Sequence, residues 1–375
     1  MPDRMAQDLI ALCRIPSPSG QEGAVAAHIR RQVEALGLTV HEDDAGAALG
    51  SDTGNLIVQT GGVGEPLFLA AHMDTVPPTP IDGEVPVIVE GDRVHTGGRS
   101  ILGGDDKAGV AVALAMLRAA VAEPGCFRPL DVVFTVQEEQ GARGAGYLDP
   151  ARLRARQGFN LDGDTPVAVA IRHAPHKCRF YIDVTGRAAH AALNPEDGIN
   201  AIAAVGAVAA ALPTGRLDAR SIANLGLVTG GGPINVVPGE ARLVGELRSL
   251  DREALDARQT EIEATAIRAG AAKGAQVSVR WEELYGGYTV PDEAGIVRLF
   301  RAACEAAGHT PALVSTYGGG DANPFNNKGL ACIVFGLGME AIHSPHEFIL
   351  LSSLAEAARI LRGALAAGDL LLNEA

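Results

Sequence analysis

Apolar residues fall into two patterns along the chain, and the pattern changes near residue 167. Before it, residues 66–71 are an unbroken apolar run, as a strand buried on both faces of an α/β sheet requires, and residues 130–136 read as another strand. Strands are also predicted at 38–42 and 55–59. A short amphipathic helix is predicted at 5–13, and the smooth apolar run after Lys107 predicts a buried helix over 107–120. Ser19 and Glu22 have the spacing of a capping box, for a helix that runs to Leu36 and is stopped by Gly37. After residue 167 the pattern alternates: strands at 177–185, 222–228, 241–250 and 276–284 and helices at 199–212 and 252–270 make a compact unit of roughly a hundred residues, the size of a small inserted domain. From Pro291 the α/β pattern returns, with helices at 294–308 and 353–366 around a strand at 331–335.

The strand ends carry the chemistry. Residues 66–71 deliver His72 and Asp74, which share a face if the strand continues. Residues 130–136 deliver Glu138 and Glu139, which point to opposite sides unless the loop turns. A third strand ends at Asp162, and ligands gather at such ends in α/β sheets. Gly103-Gly104-Asp105-Asp106-Lys107 lies where a loop becomes a helix. Free N–H groups there suit an anion, but two carboxylates would repel phosphate and instead suit a divalent cation. Taken singly, each stretch has a plain reading: an N-cap aspartate, a structural His-x-Asp, a solvated acidic turn.

The chain has 375 residues, too many for one ordinary core, so two domains are expected. Its net charge of -14 argues against nucleic acid or an anionic membrane as partner. Five scattered cysteines suggest neither a disulfide framework nor a sulfur metal site. The first twenty residues lack the basic start and clean apolar run of a signal peptide. A cytoplasmic protein is the expectation.

In order, HMDTV at His72, GGDDKAG around Asp105, QEEQGARGA with Glu138 and Glu139, NLDG at Asp162 and HSPHE at His343 resemble one family. It is the two-zinc aminoacylase and carboxypeptidase family containing peptidase T, carboxypeptidase G and the acetylornithine and succinyl-diaminopimelate deacylases. The resemblance spans nearly the whole chain, and DDKAG, GGGDAN and HSPHE look most like the peptidase T-like branch. It implies an α/β, zinc-exopeptidase-like catalytic domain, a mixed sheet flanked by helices, over residues 1–173 and 287–375. An inserted α+β, ferredoxin-like lid and dimerisation domain would occupy 174–286.

Carried over by residue, the resemblance implies two divalent ions per chain bridged by Asp105, with His72 and Asp162 completing one site and Glu139 and His343 the other. Nitrogen and oxygen ligands without sulfur suit zinc, and also cobalt or manganese. Asp74 would orient His72, Glu138 would be the general base, and the peptide bond after Asp105 would be cis. His346, in the same short loop as His343, is the competing histidine. In the inserted domain His190 would help hold the oxyanion, while Asn235 and Arg248 would grip the substrate carboxylate. The loop of residues 318–323 would line the substrate floor. The family's inserted domains pair, so a homodimer is expected, with His190 reaching the partner's active site. The implied reaction is hydrolysis of an amide bond in di- or tripeptides. Removal of an acyl group from an N-acyl amino acid needs the same groups, and a peptide-binding protein that kept the fold is the non-enzymatic alternative.

Overall fold

The structure, a computed structural model, describes residues 2–366. The chain divides into two compact units, one built from residues up to His173 and from Thr289 onward, the other from Ala174–Tyr288. The expected inserted segment was 174–286.

In the first unit the described residues form most of a nine-stranded mixed sheet. Its central order is Val40–Glu42, Leu56–Gln59, Leu130–Thr135, Leu67–His72, Gln157–Gly163, Ala331–Gly336 and Val169–Ala174. Leu67–His72 runs parallel to both Leu130–Thr135 and Gln157–Gly163. Ala331–Gly336 is parallel to Gln157–Gly163, and Leu56–Gln59 is antiparallel to Leu130–Thr135. Every residue of Leu67–His72 and Leu130–Thr135 is buried; the apolar run of the first strand requires this, and in the second the buried Asp131 is paired with Arg154. Because three neighbouring strands run the same way, the segments after His72, Thr135 and Asn160 emerge at one edge.

Gly104–Ala122 is the helix predicted from the apolar run. With no polar face over 108–117 it must be covered on all sides, and those residues are buried. It packs on the strands Leu67–His72 and Gln157–Gly163, and on the helices Pro2–Arg14, Gly23–Glu34 and Leu351–Leu365. Its first turn is irregular: Asp105 and Asp106 have non-helical backbone angles, and the peptide between them is cis. Gly109 allows the close approach. A Cβ there would lie 2.4 Å from Asp106 Oδ1 and 2.6 Å from the carbonyl oxygen of Leu161.

Several elements escaped the sequence reading. They include the strands Val169–Ala174 and Ala312–Ser315, the helix Ala322–Asn327 and a small sheet ordered Met339–Glu340, Phe348–Leu350, Arg93–His95 and Ile88–Glu90. The capping box is a correction. The helix begins at Gly23, and neither Ser19 nor Glu22 caps it with a side chain, because both are drawn to other partners: the Ser19 hydroxyl donates to Asp74 Oδ2 and the Glu22 carboxylate accepts from the Gly20 N–H.

The second unit is a five-stranded antiparallel sheet ordered Gly215–Arg216, Ser221–Gly230, Glu240–Ser249, His176–Thr185 and Gln276–Tyr285. Setting aside the short first strand, the chain order is βαββαβ, the ferredoxin-like motif. Cys178, Phe180, Ile182 and Val184 alternate inward, against Val205 and Val208 of the helix Ala201–Ala211 and Leu255 and Ile262 of Arg252–Ala271. Lys177, Arg179, Tyr181 and Asp183 lie on the opposite face. Among the described residues no helix is long and apolar enough to cross a membrane.

Replacing Gly109 sets helix propensity against packing. Alanine favours a helix interior by about 1 kcal/mol, whereas overpacking a filled core costs about 1–3 kcal/mol. With contacts as short as 2.4 Å, Gly109→Ala is expected to destabilise the protein, read as a lower urea midpoint. An unchanged or higher midpoint would show that the helix can move away from Asp106 and Leu161.

Candidate metal centre

Asp105 lies between two imidazoles and offers a different oxygen to each. Its Oδ1 is 2.9 Å from His72 Nε2, and its Oδ2 is 3.1 Å from His343 Nε2. His72 Nε2 is also 3.6 Å from Asp162 Oδ1, and His343 Nε2 is 2.9 Å from Glu139 Oε1. The structure thus brings His72, Asp105, Glu139, Asp162 and His343 together, from the ends of three strands, the start of one helix and the 341–347 loop. Two groups have ligand atoms within 4.8 Å of one another: His72, Asp105 and Glu139, and His72, Asp106 and Asp162. His346 is exposed, and its backbone N–H donates to Ser344 Oγ.

Local backbone explains the placement. Gln137, two residues past the end of the strand Leu130–Thr135, takes a left-handed conformation, φ 52°. The turn it begins lets two adjacent glutamates serve one cavity. His343, φ 61°, is likewise left-handed. The carboxylate of Asp74 accepts the backbone N–H groups of Glu138, at 2.9 Å, and Glu139, at 3.2 Å. His72 Nδ1 donates instead to the backbone carbonyl of Asp74 at 2.9 Å, with the carboxylate farther off at 3.5 Å. Residue 74 therefore orients His72 chiefly through its main chain, and its side chain holds the glutamate turn.

Three residues given no role from sequence support the cluster. Glu347, buried, accepts the N–H groups of Leu102, Gly103 and Asp105 at 2.8, 2.9 and 3.1 Å, which holds the loop that presents Asp105. Asp106, also buried, accepts the N–H groups of His72 and Gly109. Lys107, 1% exposed, donates from Nζ to the carbonyl of Ile15, and burial holds its pKa down to about 8. A buried acid four residues after His343 was visible in HSPHE, but no periodicity marks it as buried. The loop after residue 315 reaches the site at Gly320, where a Cβ would lie 3.0 Å from Glu138 Oε1 and 3.2 Å from Asp162 Oδ2. Only glycine leaves that space open.

The electrostatics of the protein alone are those of crowded buried acids. Burial and the charge of Asp105 raise the pKa of Asp162 to about 8. Burial raises Glu138 well above the usual carboxylate range, where His72 opposes and the charges of Asp162, Asp321 and Glu139 add. Burial also opposes ionisation of Asp105, but its contacts with His343 and His72 prevail and hold its pKa low. His343 rises to about 10 through Asp105 and Glu139. Such a cluster favours added positive charge. The donor set fits a divalent transition metal: imidazole nitrogen and carboxylate oxygen without sulfur, with His72 Nδ1–H committed to a carbonyl so that Nε2 faces the carboxylates.

In the second unit His190 is exposed, and its Nδ1 accepts the N–H groups of Ala192 and Leu193, both at 3.2 Å. That assigns the ring proton to Nε2, making Nε2 a donor. The Asn235 carbonyl accepts the Ala191 N–H, so the His190 and Asn235 loops are joined. Arg248 Nε donates to Glu246 Oε1 at 3.0 Å, and Lys177 Nζ lies 3.2 Å from Glu246 Oε2.

Comparison with known proteins agrees with this fold. The chain is 32% identical over 360 residues to the uncharacterized protein YqjE of Bacillus subtilis, covering 96% of each. A tripeptidase structure from Staphylococcus aureus superposes with a TM-score of 0.91 at 28% identity, covering 97% of this chain and 98% of that one. The aminopeptidase PepT structure from Bacillus cereus gives a TM-score of 0.87 at 28% identity with the same coverage. Residues 68–367 match the model of peptidase family M20/M25/M40, and the chain belongs to that family.

Proposed function

We propose that this protein is a metal-dependent exopeptidase acting on di- and tripeptides, with two divalent ions, zinc first among them, held by His72, Asp105, Glu139, Asp162 and His343. The observation that carries this reading is the division of Asp105 between two imidazoles, one oxygen to each. The tripeptidase and aminopeptidase likenesses supply the substrate class. When bound, the ions supply Lewis acidity at the amide carbonyl and make water acidic enough to lose a proton near neutrality.

The chain's own residues do the rest. Glu138, whose carboxyl burial raises well above the usual carboxylate range, takes the proton of the attacking water and delivers it to the leaving nitrogen. The open space at Gly320 admits substrate beside it. Arg248 recognises the peptide carboxylate through its planar fork, with Glu246 already on its Nε side. Nε2–H of His190, reaching in from the other chain of a homodimer, donates to the carbonyl oxygen as negative charge develops there.

A homodimer through the second unit is part of the proposal. Its support is the edge strand Ser221–Gly230, whose short outer neighbour Gly215–Arg216 pairs only with Ile222 and Ala223. Beyond that pairing Leu227 and Val228 are more than half exposed, and Ile202 on the nearby helix is 47% exposed. An open edge with apolar side chains invites a second copy.

Glu138→Gln keeps size and hydrogen bonding but cannot accept the proton. It is expected to keep its bound metal by elemental analysis while tripeptide turnover falls by about 10² to 10⁴; near wild-type turnover would remove Glu138 from the mechanism. A parallel screen of tripeptides against N-acyl amino acids separates the peptidase reading from the deacylase one. For the dimer, mixing inactive Glu138→Gln with inactive His190→Ala is expected to restore activity, since one site per mixed dimer regains both groups. No recovery despite demonstrated subunit exchange would confine His190 to its own chain.

A further inference from the structure

Ser19 and Glu22 do not cap the helix that follows them, and their side chains go to the glutamate turn. Three successive N–H groups there, of Gln137, Glu138 and Glu139, are taken by two carboxylates. Glu22 Oε1 accepts from Gln137 at 3.0 Å, while Asp74 Oδ1 and Oδ2 accept from Glu138 and Glu139. Each carboxylate is clamped in turn. The Ser19 hydroxyl donates to Asp74 Oδ2 at 2.6 Å, and Glu22 also receives the Gly20 N–H and the Ser51 hydroxyl. Behind them the Ser17 hydroxyl donates to the Met73 carbonyl, and the Thr75 N–H donates to the Ser17 carbonyl, both at 2.9 Å. Glu22, Ser17 and Asp74 are fully buried.

We propose that Ser19 and Glu22 are positioning residues for the turn that carries Glu138 and Glu139, so that the active site reaches into the N-terminal segment, ahead of the family match that starts at residue 68. A buried glutamate that merely filled space would not need to accept the Gln137 N–H, nor a serine hydroxyl to hold the carboxylate that accepts the next two. The turn leaves its strand through a left-handed residue, and its direction is set by what holds those amides. A displacement of about 1 Å at a catalytic group can cost about 10²-fold in rate, and loss of partners behind metal ligands costs about 10–100-fold in affinity or activity. The inference rests on Glu138 and Glu139 acting as base and ligand.

The test uses the full chain with Glu22→Ala, Glu22→Gln and Ser19→Ala. Three readouts are taken: hydrogen exchange of the peptide containing residues 137–139 in metal-free protein, Zn²⁺ affinity by competition with a chelating dye, and kcat and KM on a tripeptide. Glu22→Ala and Ser19→Ala are expected to speed exchange in that peptide, to weaken Zn²⁺ binding by about 10–100-fold and to lower kcat with little change in KM. Glu22→Gln keeps an acceptor for the Gln137 N–H and is expected to rescue all three. If Glu22→Ala does not fold, the milder Ser19→Ala decides. Unchanged exchange and Zn²⁺ affinity in a folded variant, or a Glu22→Gln as impaired as Glu22→Ala, would overturn the proposal. A wild-type chain that cleaves no tripeptide would defeat the peptidase reading instead, and the exchange readout would still decide the positioning.

Discussion

The burial of Asp105 between His72 and His343 is the constraint on which the rest of the first unit depends. A carboxylate taken out of water costs several kcal/mol unless it is paired and hydrogen-bonded, and here it is surrounded by Asp106, Glu138, Glu139 and Asp162. Two imidazoles offset one charge, and Asp106, Glu138 and Asp162 are held toward their neutral forms by burial first and by neighbouring carboxylates second. The frame is built to hold this unfavourable cluster. Glu347 grips the loop before Asp105, Asp106 joins the helix start to the His72 backbone, and Gly109 lets the helix come close enough for that join.

The same logic separates the work of the two units. In the first, three parallel strands bring acids and a histidine to one edge, and backbone N–H groups fix their directions. The second is a ferredoxin-like sheet whose apolar face is covered by its own helices and whose other face carries polar and charged side chains. Arg248 and Lys177 lie opposite each other in register on that sheet, with Glu246 between them. This arrangement keeps both cationic side chains ordered, so that in the proposed role of Arg248 less side-chain entropy would be lost on binding a carboxylate.

Much of this was legible in the chain. The apolar run at 66–71 and the helix after Lys107 lie where their hydrophobicity placed them, because continuous apolar character can be satisfied only by burial on every side. His72, Glu138, Glu139 and Asp162 stood out as acids and a histidine at strand ends, and Asp105 as an acid at the start of an apolar helix. Val169–Ala174 and the small sheet containing Arg93–His95 were hidden, since short strands with mixed burial carry little periodicity. Ser19 and Glu22 misled for a physical reason: a capping box and a pair of distant hydrogen-bonding groups have the same local spacing, and only the tertiary fold brings Asp74 and Gln137 within reach. Glu347 was hidden in the same way.

The central claim is that Asp105 is shared by two ions. Anomalous diffraction from crystals grown with Zn²⁺ tests it directly. The account predicts two peaks about 3.5–4 Å apart, one beside Asp105 Oδ1 with His72 and Asp162, the other beside Oδ2 with Glu139 and His343. A single peak, or a pair in which Asp106 replaces Asp105 as the shared ligand, would contradict it.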